Sequence, residues 1–283
     1  MGESGLFGNL WALAFLLWPG ATILCALLNM LITWQFSWSE LVIDYLVGVV
    51  IGVCFYFGAI GEVSAVEGFF LTVSTGLPGL LHWAGMFADM QPGVFFLLCS
   101  GSVAGAVVIG GALDYGAAAI GWSEGDRWKN VLLSLLIFPI KVPFALFTTA
   151  VGLIIGVIGL IYRATLDDPE GNGFGFAGGV FWFEWGMDGG YHATTFGATV
   201  NEFRGEISDT LAHELVHTRQ YCYLHDWLGI FYFTVSGLWG LASSAIHAAC
   251  DEAVSFEVTH MWAADDDDEV GNPIEMVPTH RYG

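Results

Sequence analysis

Long stretches without a charged residue recur along the chain. They cover residues 4–39, 45–61, 68–88, 90–113, 142–162 and 227–250. A helix that crosses the hydrocarbon core of a bilayer needs about 20 mostly apolar residues. The pattern therefore predicts five or six membrane segments, about five of them in a helical bundle formed by residues 1–162.

Proline and glycine interrupt several of these stretches. Pro19 and Gly20 divide the first, so we expect a short entry helix and then a span near residues 21–36. Pro78 is expected to kink the third stretch, which partner helices tolerate in a membrane. Lys141 lies between two prolines. We expect the chain to break there at the membrane surface, with the lysine extending into the interface.

The pattern changes after the fifth stretch. Residues 164–190 are rich in glycine, aspartate and aromatic residues, which indicates loops around a strand at about 178–184. Residues 191–203 are rich in threonine, valine and aromatic residues and predict a second strand. A helix capped by Ser208 or Asp209 is expected to follow.

This change divides the chain into three parts. Residues 1–162 are the predicted membrane bundle, and residues 163–262 are predicted to form a small α+β domain. Residues 263–283 contain four aspartates and a glutamate in succession. Such a charge run is typical of a solvated, poorly ordered tail.

The composition is that of an unusually acidic membrane protein. Hydrophobic residues make up 55% of the 283 residues and charged residues 12%, and the formal net charge is −21. The acidity argues against nucleic acid as a partner, because phosphate binding needs a basic surface. Seven of the 28 acidic residues precede residue 121, so the charge belongs mainly to the small domain and the tail.

Pairs of glycines four residues apart recur in the apolar stretches. They are Gly48 with Gly52, Gly101 with Gly105, and Gly152 with Gly156. This spacing lets helices approach closely, and we expect it to serve packing within the chain rather than a dimer seam.

The strongest chemical signal is the sequence His213-Glu214-Leu215-Val216-His217. Residues four apart on a helix lie one turn apart on the same face, so the two imidazoles can bind one zinc ion. Zinc lowers the pKa of a bound water towards about 7. Glu214 is placed to accept the proton of that water and return it to the leaving amine.

The stretch HELVHTRQY resembles the HExxH helix of integral-membrane zinc metallopeptidases, the group that contains prenyl-protein proteases and membrane quality-control proteases. It is closer still to small uncharacterised membrane proteins with the motif HExVHxRQY, over about residues 190–257. The resemblance implies a zincin-like fold, His213 and His217 as zinc ligands, Glu214 as general base and a downstream carboxylate as third ligand. It also implies that the strand near 191–203 aligns an extended peptide by edge pairing.

The third ligand is where the chain departs from that group. There a glutamate precedes an alanine by three positions on the later helix, whereas Cys250 occupies that position here. Glu252 is our first choice, because a carboxylate leaves zinc Lewis-acidic with one position open for water. The alternatives are Asp251, Glu257 and Cys250, and then the histidines His192, His247 and His260.

Glu252 can reach the zinc only if the apolar stretch 227–250 turns back. A straight helix over that stretch would carry the chain about 36 Å, to the opposite side of the membrane. We therefore expect a re-entrant or interfacial hairpin with its break at Ser236-Gly237 or Gly240. The zinc would then lie at the membrane surface.

Two residues that follow the motif are expected to support it. Arg219 is expected to pair with a nearby acidic residue. Gln220 continues the face of the histidines and is expected to orient a ligand by a hydrogen bond.

Two functions are compatible with this sequence. The first is a multi-pass enzyme of the cell membrane that uses zinc to hydrolyse peptide bonds of membrane or membrane-proximal proteins, with the lipid bilayer and a protein or peptide substrate as its partners. The second is a non-catalytic membrane scaffold or transport component with a structural or vestigial metal site. The incomplete third-ligand pattern favours the second.

The excess of acid over base predicts a fold that depends on salt. Only two lysines accompany the 28 acidic residues, a balance that suits a salt-rich environment, and we expect a halophilic source. The unfolding temperature of the purified chain should rise with sodium chloride concentration, and the fold should be lost at low salt. A sucrose series of equal osmolality is the control, because sucrose strengthens burial without screening charge. Equal unfolding temperatures at all salt concentrations would contradict the prediction.

Overall fold

The computed structural model describes residues 5–33, 36, 38–60, 64–119, 127–166, 173–187, 192–204, 207–231, 233, 234 and 238. Over these residues the chain is mainly helical, with one small sheet. The helices are α1 (Leu10–Ala12), α2 (Trp18–Thr33), α3 (Trp38–Ile60), α4 (Ala65–Thr75), α5 (Leu77–Trp83), α6 (Pro92–Ala119), α7 (Arg127–Lys141), α8 (Leu146–Arg163) and α9 (Ile207–Leu224). The strands are β1 (Phe174–Ala177), β2 (Val180–Met187), β3 (His192–Phe196) and β4 (Thr199–Arg204).

Four helical segments of the described chain are long and apolar enough to cross a membrane. They are Leu10–Ile32, Leu41–Ile60, Pro92–Leu113 and Leu146–Arg163. In the first, a π-helical stretch over Leu13–Leu17 joins α1 to α2. Large apolar side chains on these segments are exposed, as a lipid-facing surface requires. The fold is therefore that of a mainly helical protein with the helices of a membrane protein and a small sheet.

The apolar stretch 68–88 forms two short helices instead of a kinked span. The chain breaks at Gly76, which has a positive φ of 65° that suits glycine. Pro78 lies in the first turn of α5, where its missing N–H costs nothing. The ring of Trp83 in α5 packs directly over Gly68 in α4, so the two helices fold back on each other. The hairpin predicted within 227–250 has its proposed breaks outside the described residues.

The predicted break beside Lys141 is present, but the predicted position of its side chain is wrong. Helix α7 continues through Pro139 to Lys141, and a 3-10 turn over Val142–Phe144 separates it from α8. Lys141 is buried, and its ammonium group donates to the carbonyl oxygen of Gly178 at 3.0 Å. The lysine therefore lies under the turn between β1 and β2 instead of extending into the interface.

The sheet has four strands in the order β1-β2-β4-β3. The central strands β2 and β4 are parallel, and each outer strand is antiparallel to its neighbour. The strand predicted at 178–184 corresponds to β2, and the one predicted at 191–203 is a hairpin of β3 and β4. Gly197, with a positive φ of 61°, forms its turn. This order places β3 at an edge of the sheet.

The sheet packs between α8 and α9. On one side, glycines let the strands lie against α8: a Cβ at Gly152 would clash with Thr199, one at Gly156 with the ring of Phe183 and one at Gly159 with Trp185. On the other side, Leu215 of α9 packs against Val180 and Val200. The second half of α9 continues between α2 and α6. The motif helix is thus part of the helical bundle.

Two of the three predicted glycine pairs lie at packed surfaces within the chain. Gly48 and Gly52 face Pro19 and Leu13, and the pair on α8 faces the sheet. Gly101 and Gly105 are different, because a Cβ at either would have no heavy atom within 4 Å.

This difference provides a matched test of the packing between α8 and the sheet. Gly156→Ala places a methyl group 2.3 Å from the ring of Phe183, and we expect it to lower the free energy of unfolding by about 1–3 kcal/mol. Gly105→Ala gains the same helix propensity without a clash, so it should be neutral or stabilising. Unfolding in detergent, followed by circular dichroism, measures both. Equal effects of the two variants would contradict the observed packing.

Candidate active site

The HELVH motif lies in the middle of α9, the helix that the sequence predicts. The helix begins at Ile207, so Ser208 and Asp209 lie in its first turn and not at the predicted cap position. The backbone of His213, Glu214 and His217 is helical throughout. His213 and His217 are therefore one helical turn apart along α9. The side chain of His213 is outside the described part of the structure.

Glu214 is buried against the edge strand of the sheet. Its side chain is 5% exposed. The hydroxyl of Thr195 in β3 donates a hydrogen bond to its carboxylate. The carboxylate is therefore held at the strand along which an added peptide would run.

His217 is oriented by Gln220, as predicted. The Nδ1 atom of His217 lies 2.7 Å from the amide oxygen of Gln220. An amide oxygen only accepts, so Nδ1 carries a hydrogen, and in the neutral imidazole the lone pair is then on Nε2. This is the tautomer that a zinc ligand needs when its other nitrogen is held by a second residue.

Arg219 ties the motif helix to the first membrane-length segment. Its Nε donates to the side-chain oxygen of Asn29 in α2 at 3.0 Å. Arg219 and Asn29 are both buried. The amide of Asn29 is thus a partner of Arg219 in place of, or together with, the expected acidic residue. This bond ties α9 to α2.

Tyr221 contacts the same residue as Glu214. Its hydroxyl donates to the main-chain oxygen of Thr195 at 3.3 Å. Burial raises the pKa of Tyr221 well above its usual value, and the negative charges of Asp226 and Glu214 raise it further. The phenol is therefore neutral and acts as a donor at physiological pH.

The residues directly after α9 fix its end to α8. His225 has a positive φ of 55°, and its Nδ1 lies 3.1 Å from the carbonyl oxygen of Phe144. The carboxylate of Asp226 accepts from the backbone N–H of Thr148 at 2.7 Å, from that of Phe147 at 3.3 Å and from the Thr148 hydroxyl. Asp226 therefore caps the first turn of α8.

The third ligand is not settled by the described residues. Glu252 and the alternatives Asp251, Glu257, Cys250, His247 and His260 lie outside them. His192 begins β3, where its backbone is paired with Arg204. Within the described part of the chain, no three histidine, cysteine, aspartate or glutamate side chains are grouped to hold a metal ion.

Three residues of the site were missed by sequence reasoning. Tyr221 stands in the motif itself, and its position seven residues after Glu214 places both on one face of the helix. Asp226 and Thr195 carry no local signal, because their partners are far away in sequence.

No protein-family model matches the chain, and no curated protein or solved structure is detectably similar to it.

The buried His225 makes stability depend on pH. Burial lowers its pKa from about 6.5 to about 4, so the unfolded chain binds a proton in this interval and the folded chain does not. Stability should fall as pH decreases from 6.5 to 4, by about 3 kcal/mol from this group. In His225→Asn, which tolerates the positive φ, this part of the slope should disappear. Unfolding free energies of both proteins across the interval test it, and equal slopes would contradict it.

Proposed function

We propose that this protein is a membrane-bound zinc endopeptidase that hydrolyses peptide bonds of membrane or membrane-proximal proteins. The observation that carries the proposal is the position of Glu214. The carboxylate next to the first histidine of the motif is buried and bonded to the edge strand. A general base and a peptide-aligning strand are thereby adjacent.

The residues present suit zinc. His217 has its Nδ1 hydrogen directed to Gln220, which leaves the metal-binding lone pair on Nε2. His213 and His217 would hold the ion from one side of α9, and Glu252 is our first choice for the third ligand. The ion would supply Lewis acidity to the scissile carbonyl and to the attacking water.

The steps assigned to the chain itself are proton transfer and alignment. Glu214 accepts a proton from the attacking water and passes it to the leaving amine. The substrate adds to β3 as an extended strand. Its main chain forms hydrogen bonds with the edge of the sheet, and these bonds do not depend on the side chains of the peptide. Gln220 keeps the ring of His217 in one orientation.

The surroundings of α9 support the proposed substrate class. The helix packs against α2 and α6, and Arg219 is bonded to a residue of the segment Leu10–Ile32. A site attached in this way to apolar, membrane-length helices is close to lipid. We therefore place the protein in the cell membrane as a multi-pass chain, with polypeptides that enter or adjoin the bilayer as its substrates.

A transport component is the second candidate, and the helix breaks favour it. Gly76, between α4 and α5, packs against Pro143 and Phe144, between α7 and α8. His225, at the end of α9, bonds to Phe144 as well. Interrupted helices that meet inside a bundle are common in transporters. In this function the histidine pair would be structural, and His213→Ala would leave activity intact.

Zinc content and proteolysis distinguish the two. The wild-type chain should contain about one zinc per molecule by mass spectrometry, and it should cleave an unfolded casein probe in nanodiscs. Glu214→Gln should keep the zinc and lose activity by about 10²–10⁴-fold, because it removes the general base alone.

Two histidine substitutions form a matched pair for the zinc measurement. His217→Ala should lose zinc, whereas His82→Ala, at a buried histidine of α5 away from the motif, should retain it. A wild-type protein that binds no zinc would refute the proposal.

A further inference from the structure

We propose that Tyr221 and Thr195 are positioning residues that clamp the edge strand β3 to the motif helix and hold Glu214 against it. The catalytic consequence of the clamp rests on the proposed peptidase function. The clamp itself is a property of the fold and is measured without activity.

The clamp consists of hydrogen bonds from α9 to one residue, Thr195, whose hydroxyl also lies 3.3 Å from the main-chain oxygen of Glu214. Glu214 and Tyr221 are seven residues apart on α9, which places them two turns apart on one face. Glu214 accepts from the hydroxyl of Thr195, and Tyr221 donates to its main-chain oxygen at 3.3 Å. Thr195 is therefore held at both its side chain and its backbone by the same helix.

Burial makes these bonds persistent. Glu214, Tyr221 and Thr195 are 5%, 3% and 6% exposed, so little water is present to exchange with them. Loss of either bond in this buried environment is expected to cost about 1 kcal/mol. The neutral phenol remains a donor over the whole physiological range of pH.

The opposite helix holds the same hairpin. The backbone N–H of Ala198 in the β3–β4 turn donates to the hydroxyl of Thr149 in α8 at 2.9 Å. A Cβ at Gly197 in that turn would lie 2.2 Å from the same hydroxyl oxygen. The hairpin is thus fixed to α8 at its turn and to α9 at Thr195.

This arrangement couples substrate alignment to the general base. A peptide paired with β3 takes its position from that strand, and Glu214 takes its position from Thr195 on the same strand. A shift of β3 would move the scissile bond and the carboxylate together. A misplacement of about 1 Å at a site of this kind costs about 100-fold in rate.

Tyr221→Phe and Thr195→Val test the clamp. The first removes the bond to the main-chain oxygen of Thr195, and the second removes the contacts of the Thr195 hydroxyl with Glu214. Hydrogen exchange of the β3 amides, measured by mass spectrometry on the full chain in nanodiscs, should become faster in both variants. Tyr45→Phe is the matched control. The Tyr45 hydroxyl also donates to a main-chain oxygen at 3.3 Å, but Tyr45 lies in α3 and its acceptor is Phe15. It should leave exchange in β3 unchanged.

Activity provides the second measurement. In Tyr221→Phe and Thr195→Val, kcat/KM should fall about 10–100-fold at unchanged zinc content. Thr195→Ser keeps the hydroxyl and should restore kcat/KM, whereas a merely structural effect of the smaller side chain would not be rescued.

The two possible failures are distinguishable. Exchange in β3 that stays at the wild-type rate in both variants overturns the clamp, whatever the activity. A wild-type chain without zinc or proteolysis refutes the peptidase while the exchange experiment still decides the clamp. If Tyr221→Phe does not fold, Thr195→Val and Thr195→Ser form the deciding pair.

Discussion

Polar groups inside an apolar bundle need protein partners, and this constraint fixes the position of α9. A buried polar group without a partner costs several kcal/mol in a lipid-like environment. Arg219 is bonded to α2, Glu214 and Tyr221 to β3, and Asp226, just beyond the helix, to α8. Together these bonds fix α9 to three elements, α2, β3 and α8.

These bonds connect the two parts of the chain that the sequence predicts, the membrane bundle and the small α+β domain. The predicted boundary lies near residue 162, yet Asn29 and Thr148 on one side are bonded to Arg219 and Asp226 on the other. Asn201 likewise donates to the carbonyl oxygen of Gly152 at 3.2 Å. The small sheet and α9 are therefore built against the bundle, and a change in the bundle is transmitted to the motif through short contacts.

The elements were predictable because their signals are local. Four of the uncharged stretches coincide with membrane-length helices, whereas 68–88 forms two short helices. Enrichment in aromatic and β-branched residues predicted β2 and a single strand where the β3–β4 hairpin lies. The partner of His217 also followed from spacing within one helix. The burial of Lys141 and the role of Thr195 were not predictable, since each depends on a partner in another element. A single sequence contains no signal for such pairings.

Acidic residues affect stability in two different ways, depending on whether they are exposed to water or buried. Charges exposed to water are screened by salt over about 8–10 Å, so their repulsion depends on ionic strength. Glu184, Glu202, Glu214 and Asp226 are buried, at most 5% exposed, and salt screens such groups far less. Their energies depend on hydrogen bonds such as that from Gly173 to Glu184 at 3.0 Å. Salt concentration should therefore change the repulsion between exposed acidic residues and leave the electrostatic energy of Glu214 nearly constant.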